Sequence, residues 1–216
     1  MSGFFAELSR NSHAVLTALG QHIGISAVAV LLGILAAVPA GVVLSYHAGA
    51  AKIVLGLFSV INTIPGIVLL GLAMIFLGIG YIPATVVLFV YSLLPVLRGT
   101  YTGITGVSAK VLKAARGVGM SRFQMLRLVQ LPLAMPAIIT GIRLSAIYII
   151  SWATLAAFIG GGGLGDLIWM GLQTYNFNMV LCGAIPATLL SLLVSFLLNR
   201  LIRRASRHIG SREATA

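Results

Sequence analysis

Acidic residues are almost missing. The 216-residue sequence holds 3 Asp+Glu against 14 Lys+Arg, a formal net charge of +11. Charge of either sign is scarce, at 8% of residues, where soluble domains carry about 25%. Hydrophobic residues make up 59% and mean hydropathy is +1.09. A water-facing surface cannot be assembled from so few polar groups, so a soluble globular enzyme and a disordered chain are both excluded. The single cysteine, Cys182, excludes a disulfide framework and a cysteine-rich metal site; in its apolar run it is expected to be packed and inert.

Other absences narrow the chemistry. The acids stand far apart, so paired-carboxylate catalysis has no residues to use. The histidines, His13, His22, His47 and His208, are scattered without metal-ligand spacing. No G-x-S-x-G nucleophile motif is present, and no run of carboxylates inside the apolar segments suggests a proton relay. The stretch Gly160 to Gly165 satisfies G-x-G-x-x-G. It follows an apolar helix rather than a strand, so dinucleotide binding is rejected. No G-x-x-x-x-G-K-[ST] occurs, so this chain does not bind ATP through a P-loop. No cofactor is expected on it.

What is present is apolar length. A helix crosses the hydrocarbon core with about 20 apolar residues. The sequence predicts an all-α polytopic membrane protein with about five spans: Ile23 to Leu44, Val54 to Leu77, Pro83 to Leu97, Ala137 to Phe158 and Asn178 to Asn199. The second and third are separated by Gly78-Ile79-Gly80-Tyr81-Ile82-Pro83, where Gly and Pro end helices. Residues 1–22 read as an extracytoplasmic lead-in, 23–199 as the permeating domain with a basic loop at 98–132, and 200–216 as a basic tail. No leader peptide is expected in 1–22, since Glu7 and Arg10 interrupt it. Phe4, Phe5, Leu8, Val15, Leu16 and Leu19 line either an interfacial helix or a plain approach to the first span.

The cations sort to one side. Lys52, Arg98, Lys110, Lys113, Arg116, Arg122, Arg127, Arg143, Arg200, Arg203, Arg204, Arg207 and Arg212 share it, whereas Arg10, Glu7 and Asp166 lie opposite. The positive-inside rule then places the N-terminus outside and the 98–132 loop and C-terminus in the cytoplasm of a bacterial inner membrane. This bias accounts for the charge, so no nucleic-acid partner is needed; the bilayer is the expected surroundings.

Within the loop, Val107, Val111, Leu112, Ala115 and Val118 group at helical spacing, with Lys110, Lys113 and Arg116 on another face. Gly117 and Gly119 break this helix. Ser121 is placed to cap a second short one carrying Phe123, Leu126 and Val129, which Leu131-Pro132 ends, Pro136 opening the next span. The pair reads either as a docking platform or as an interfacial anchor. Ala114-Ala115-Arg116-Gly117-Val118-Gly119-Met120, with Val129-Gln130-Leu131-Pro132 separated from Gly119 by nine residues, resembles the EAA loop of binding-protein-dependent ABC-importer permeases. Lys113 departs from the family's usual Glu. Tyr91 to Arg98, Thr100 to Ile104, Thr154 to Gly160 and Leu164 to Ile168 are similar to the osmoprotectant branch, whose members import glycine betaine, carnitine, choline or related quaternary ammonium solutes. The resemblance implies a non-enzymatic transport subunit. It further implies a second permease subunit, identical or paralogous, cytoplasmic ATPase subunits seated on the loop, and an extracytoplasmic solute-binding protein.

Candidate path or gate residues follow. Asn62 and Pro65 lie where Pro and Gly interrupt the second span. Arg143 is the one charge inside a span, read either as a gate or ATPase contact, or as a side chain reaching back to the inner interface. Asp166 faces the outer mouth as a docking or cation-attracting group, or as a helix cap. Tyr91 and Trp152, with Tyr148, Trp169 and Tyr175, are either cation–π partners or interfacial aromatics. Gly33, Gly41, Gly71 and Ala73 allow close helix packing. A passive osmotically gated pore, a membrane-embedded enzyme, and an ABC permease for another zwitterion or amine are the competing readings.

Overall fold

Glycine and proline punctuate the apolar runs, and the helices stop or bend where these residues stand. The computed structural model describes residues 2–213, with side chains over 3–206, and is helical throughout, with no strand among the described residues. The helices are α1 (Ser2–Arg10), α2 (Ser12–Ser45), α3 (Ala48–Thr63), α4 (Gly66–Leu77), α5 (Tyr81–Thr105), α6 (Ala109–Gly117), α7 (Arg122–Met125), α8 (Leu131–Ala153), α9 (Leu164–Gln173) and α10 (Phe177–Glu213). A π turn (Leu126–Gln130) joins α7 to α8, and a 3-10 turn (Thr154–Ile159) extends α8. Four helical stretches are long and apolar enough to cross a membrane, and the bent pair α3–α4 makes up to five.

Four expectations need correction. The first helix of the bundle begins at Ser12, not Ile23, because nothing between Ser12 and Ile23 breaks a helix. α1 is a separate docked helix rather than a lead-in: Phe4 and Leu8 pack against buried Leu164, Leu167 and Cys182. The second span is not straight, since α3 and α4 meet at 95°. Ile64 precedes Pro65 and is forced extended (φ −70°, ψ 131°), which ends α3. Finally, Leu131-Pro132 does not stop a helix, and Pro136 lies inside α8 rather than opening it. Pro132 has no N–H, and its ring crowds the carbonyl four residues back. One wider turn absorbs this: the Leu131 N–H bonds the Leu126 carbonyl, and the helical path runs on. The segment between spans is therefore 106–121, shorter than 98–132. The basic tail also continues α10 helically to Glu213, consistent with the good helix propensity of its arginines.

The core forms where α5 packs between α2 and α8. Small residues bring these helices together. A Cβ on Gly33 would strike Ser92, one on Gly41 would meet the Thr100 side chain, and one on Gly103 would meet Ala134 and Ala137. Gly71, by contrast, faces open space. Ile25, Ala29, Leu88, Ile149 and Ala153 fill the centre. Hydroxyls at the centre join the helices. Ser145 donates to the Ser92 carbonyl at 3.0 Å, and Ser92 donates to the Phe89 and Ala29 carbonyls at 2.6 and 3.2 Å. Large apolar side chains such as Leu35, Ile53 and Phe76 face outward, as a lipid-facing surface requires.

Candidate functional site

Three groups of residues stand out along the bundle. At one end, α6 and α7 form an exposed platform. Ser108 caps α6 and Ser121 caps α7, the latter through a capping box in which Gln124 returns a bond to the Ser121 N–H at 2.8 Å. α6 closes in a Schellman turn: the Met120 N–H reaches the Ala115 carbonyl at 3.2 Å, and the Gly119 N–H reaches that of Arg116 at 3.0 Å. The residue at the turn must take a left-handed conformation, and Gly119 does so at φ +79°. Ala115 and Met125 point inward as anchors. Lys113, Ala114, Gly117 and Gly119 are exposed. Val118, expected on the apolar inner face, instead projects at the tip with 75% exposure, beside Phe123 at 68%. Met120 lines a recess of about 530 Å³ with Tyr46, Arg116, Arg122 and Met125. Val129 lies in the π turn, and Leu131 and Pro132 begin α8.

In the middle of the bundle, the bend between α3 and α4 is held by two aromatics. Tyr91 of α5 and Trp152 of α8 stack, with centroids 4.9 Å apart and planes 18° from parallel. The Tyr91 hydroxyl donates to the Ile64 carbonyl at 2.6 Å, an acceptor that the break at Pro65 leaves without a helical partner. Trp152 lies so close over Gly66 that any side chain there would collide with its ring. Asn62 folds back onto the Phe58 carbonyl at 3.1 Å in the last turn of α3. Thus Pro65, Tyr91 and Trp152 converge, and Asn62 sits one turn away.

At the other end, the glycine run Gly160 to Gly163 straps across α2. The Gly163 N–H donates to Gln21 Oε1 at 3.1 Å, and Gly163 (φ +93°) lies against His22. His22 is fully buried, and its Nε2 donates to the Ile150 carbonyl at 2.9 Å. Among the described residues, His22 Nδ1 and Ser26 Oγ, one turn apart, have no partner. Sequence reasoning missed Gln21 and His22: the bond to Gly163 spans 142 positions, and no local pattern announces it. Asp166 sits in the first turn of α9, where Gly163 occupies the cap position. Burial pushes its carboxyl above the usual range.

Arg143 joins none of the three groups. Its Nε donates to Ser195 on α10 at 3.1 Å, a partner that sequence reasoning did not name. Arg98 similarly bridges to Ser59 of α3 at 2.9 Å.

A bundle of apolar helices with one broken span and a glycine-tipped helical pair at one end is a polytopic membrane protein of the ABC-importer permease fold. A solved structure of the MetNI methionine ABC transporter in an inward-facing conformation superimposes with a TM-score of 0.81 at 21% identity, covering 91% of this chain and 98% of that one. The chain belongs to the family of binding-protein-dependent transport system inner membrane components, matched over residues 29–210. The glycine betaine/carnitine/choline transport system permease protein OpuCB of Bacillus subtilis (strain 168) is 45% identical, over 92% of this chain and 91% of that protein. The carnitine transport permease protein OpuCB of Listeria monocytogenes is 46% identical, over 92% and 89%.

Proposed function

We propose that this chain forms the translocation path of an ATP-driven importer for a small osmoprotectant of the glycine betaine, carnitine or choline type. The observation that carries this reading is the 45% identity, across 92% of the chain, to a permease named for those solutes. The chain performs no covalent chemistry; a separate cytoplasmic ATPase hydrolyses ATP. It pairs with a second permease subunit, identical or paralogous, and an extracytoplasmic binding protein delivers the solute. The N-terminus lies outside, and the α6–α7 platform and C-terminus lie in the cytoplasm, because that orientation puts the cations inside.

Each residue group then has a role. Lys113, Ala114, Ala115, Gly117, Gly119, Met120, Val129, Leu131 and Pro132 form and support the surface that the ATPase engages. Pro65, Tyr91 and Trp152, with Asn62, set the bend of a broken span beside the path, where unwound backbone is tolerated only if satisfied within the protein. Arg143 holds α8 to α10, and Asp166 stands near the outer mouth. Transport is a shift between inward- and outward-facing states, driven by the differential affinity of the ATP-bound partner for them.

The test is reconstitution into proteoliposomes with an ATPase subunit and binding protein from the same organism, followed by uptake of labelled glycine betaine, carnitine and choline. ATP-dependent uptake of at least one of them is expected. Flux without ATP would overturn the reading in favour of a passive pore, and ATP-driven uptake confined to other amines would replace the substrate class.

A further inference from the structure

The platform carries charge of one sign. Lys110, Lys113, Arg116, Arg122 and Arg127 are all exposed on or beside it. No Asp or Glu occurs between Glu7 and Asp166, and the remaining acid is Glu213 in the tail. Glu7 is engaged elsewhere, accepting from Asn11 at 3.0 Å and Asn176 at 3.3 Å, and Asp166 lies at the opposite end of the bundle in α9. Between the cations project two apolar side chains, Val118 and Phe123. An apolar tip ringed by charge is the anatomy of a protein-binding surface. Beside the tip, the recess of about 530 Å³ is lined by Arg116, Arg122, Tyr46, Met120 and Met125. Its two arginines suit a carboxylate, which a guanidinium binds through paired charge-assisted hydrogen bonds, and its volume leaves room for the side chain that carries one.

We propose that the partner surface seated on this platform is acid-rimmed with an apolar floor, and that one of its carboxylate side chains enters the recess between Arg116 and Arg122. This rests on the reading of the platform as the ATPase-engaging surface, and it adds the chemistry of the partner. Attraction between opposite surfaces governs encounter and register. Salt shortens its reach from about 10 Å at 0.1 M to about 3 Å at 1 M. Docking of the ATPase therefore weakens as ionic strength rises.

The experiment places the chain in phosphatidylcholine nanodiscs with its own ATPase subunit and measures binding across a KCl series. Wild type is expected to lose about tenfold in affinity between 0.1 and 0.5 M. The Arg116→Gln/Arg122→Gln pair should bind about tenfold more weakly at 0.1 M and show a flatter salt response. Lys113→Glu should weaken binding further than Lys113→Gln. Salt-independent binding in wild type would overturn the proposal. So would a salt response that appears only in phosphatidylglycerol discs, since the cations would then serve lipid phosphates. Gly119→Val separates this claim from the reading beneath it. If that variant abolishes docking while wild type ignores salt, the platform docks the ATPase but not by charge. If it docks as wild type does, the platform itself is not the ATPase contact.

Discussion

Both ends of the bundle are closed by glycine-rich turns, one in open space and one packed into the core. At the α6–α7 tip, Gly119 supplies a left-handed residue to a helix-ending turn, and an added Cβ would meet nothing within 4 Å. At the α8–α9 strap, a Cβ on Gly165 would run into the Thr154 carbonyl, and one on Gly161 would press on Ala156 and Ala84. The first turn needs glycine for its torsion angles. The second needs glycine on two counts: Gly160, Gly162 and Gly163 also take left-handed angles (φ +68°, +77° and +93°), and neighbouring atoms fill the space at Gly161, Gly163 and Gly165. A turn of the first kind stands clear of the packed side chains. A turn of the second kind is part of the core.

Substitutions should pull this contrast apart. Gly165→Val should be the most damaging, costing about 3 kcal/mol through overpacking against backbone that cannot yield. It would appear as a large fall in the thermal unfolding midpoint in detergent and loss of assembled protein. Trp152→Ala should follow at about 3 kcal/mol by opening a void above Gly66, again visible in the unfolding midpoint, whereas Trp152→Phe should retain most of the packing. Gly119→Val should cost only about 1–2 kcal/mol of stability yet uncouple ATPase activity from uptake. A stability loss equal to that of Gly165→Val would erase the distinction. Tyr91→Phe keeps the stack and loses the bond to Ile64, for about 1 kcal/mol, measured by the same midpoint. Smallest is Asp166→Asn. Burial raises the Asp166 carboxyl, so the folded chain holds its proton to higher pH than the unfolded chain. Stability attributable to this residue is therefore gained as pH falls through the raised folded value, and a cost is present above it. Asp166→Asn should flatten the midpoint-versus-pH curve just above the ordinary carboxylate range and raise it slightly at neutral pH.

The same contrast explains what was legible in the sequence. The exposed tip is built by local rules, and a local pattern discloses it: Ser121 as cap, Gly119 as break, and Pro132 at a fixed distance. The span limit at Leu77 and the break at Gly78 were equally local. Pro132 misled because a proline within a helix reads as a stop unless one turn widens to accommodate it. Pro65-Gly66 announced an interruption but not a 95° bend. That angle is held by Tyr91 and Trp152, which lie on two other helices. The strap was the least legible part. Its glycines suggested a loop, but the groups that demand them, Gln21 and His22, sit on α2, far away in sequence. Hydropathy likewise marks Arg143 as unusual without indicating that Ser195 receives it.

The π turn at Leu126–Gln130 joins parts of the molecule that the sequence seemed to separate. Because it carries the helix through Pro132, Arg122 on the platform and Trp152 over the bend belong to one rod, on the order of 45 Å long at about 1.5 Å per residue. Such a rod has a moment arm. A tilt of about 5° imposed at the Arg122 end sweeps the far end through roughly 4 Å, about the thickness of an aromatic ring. Trp152 rides on that far end and has no clearance above Gly66. A small rotation at the membrane face is thus carried along one continuous helical path to the bend of the broken span.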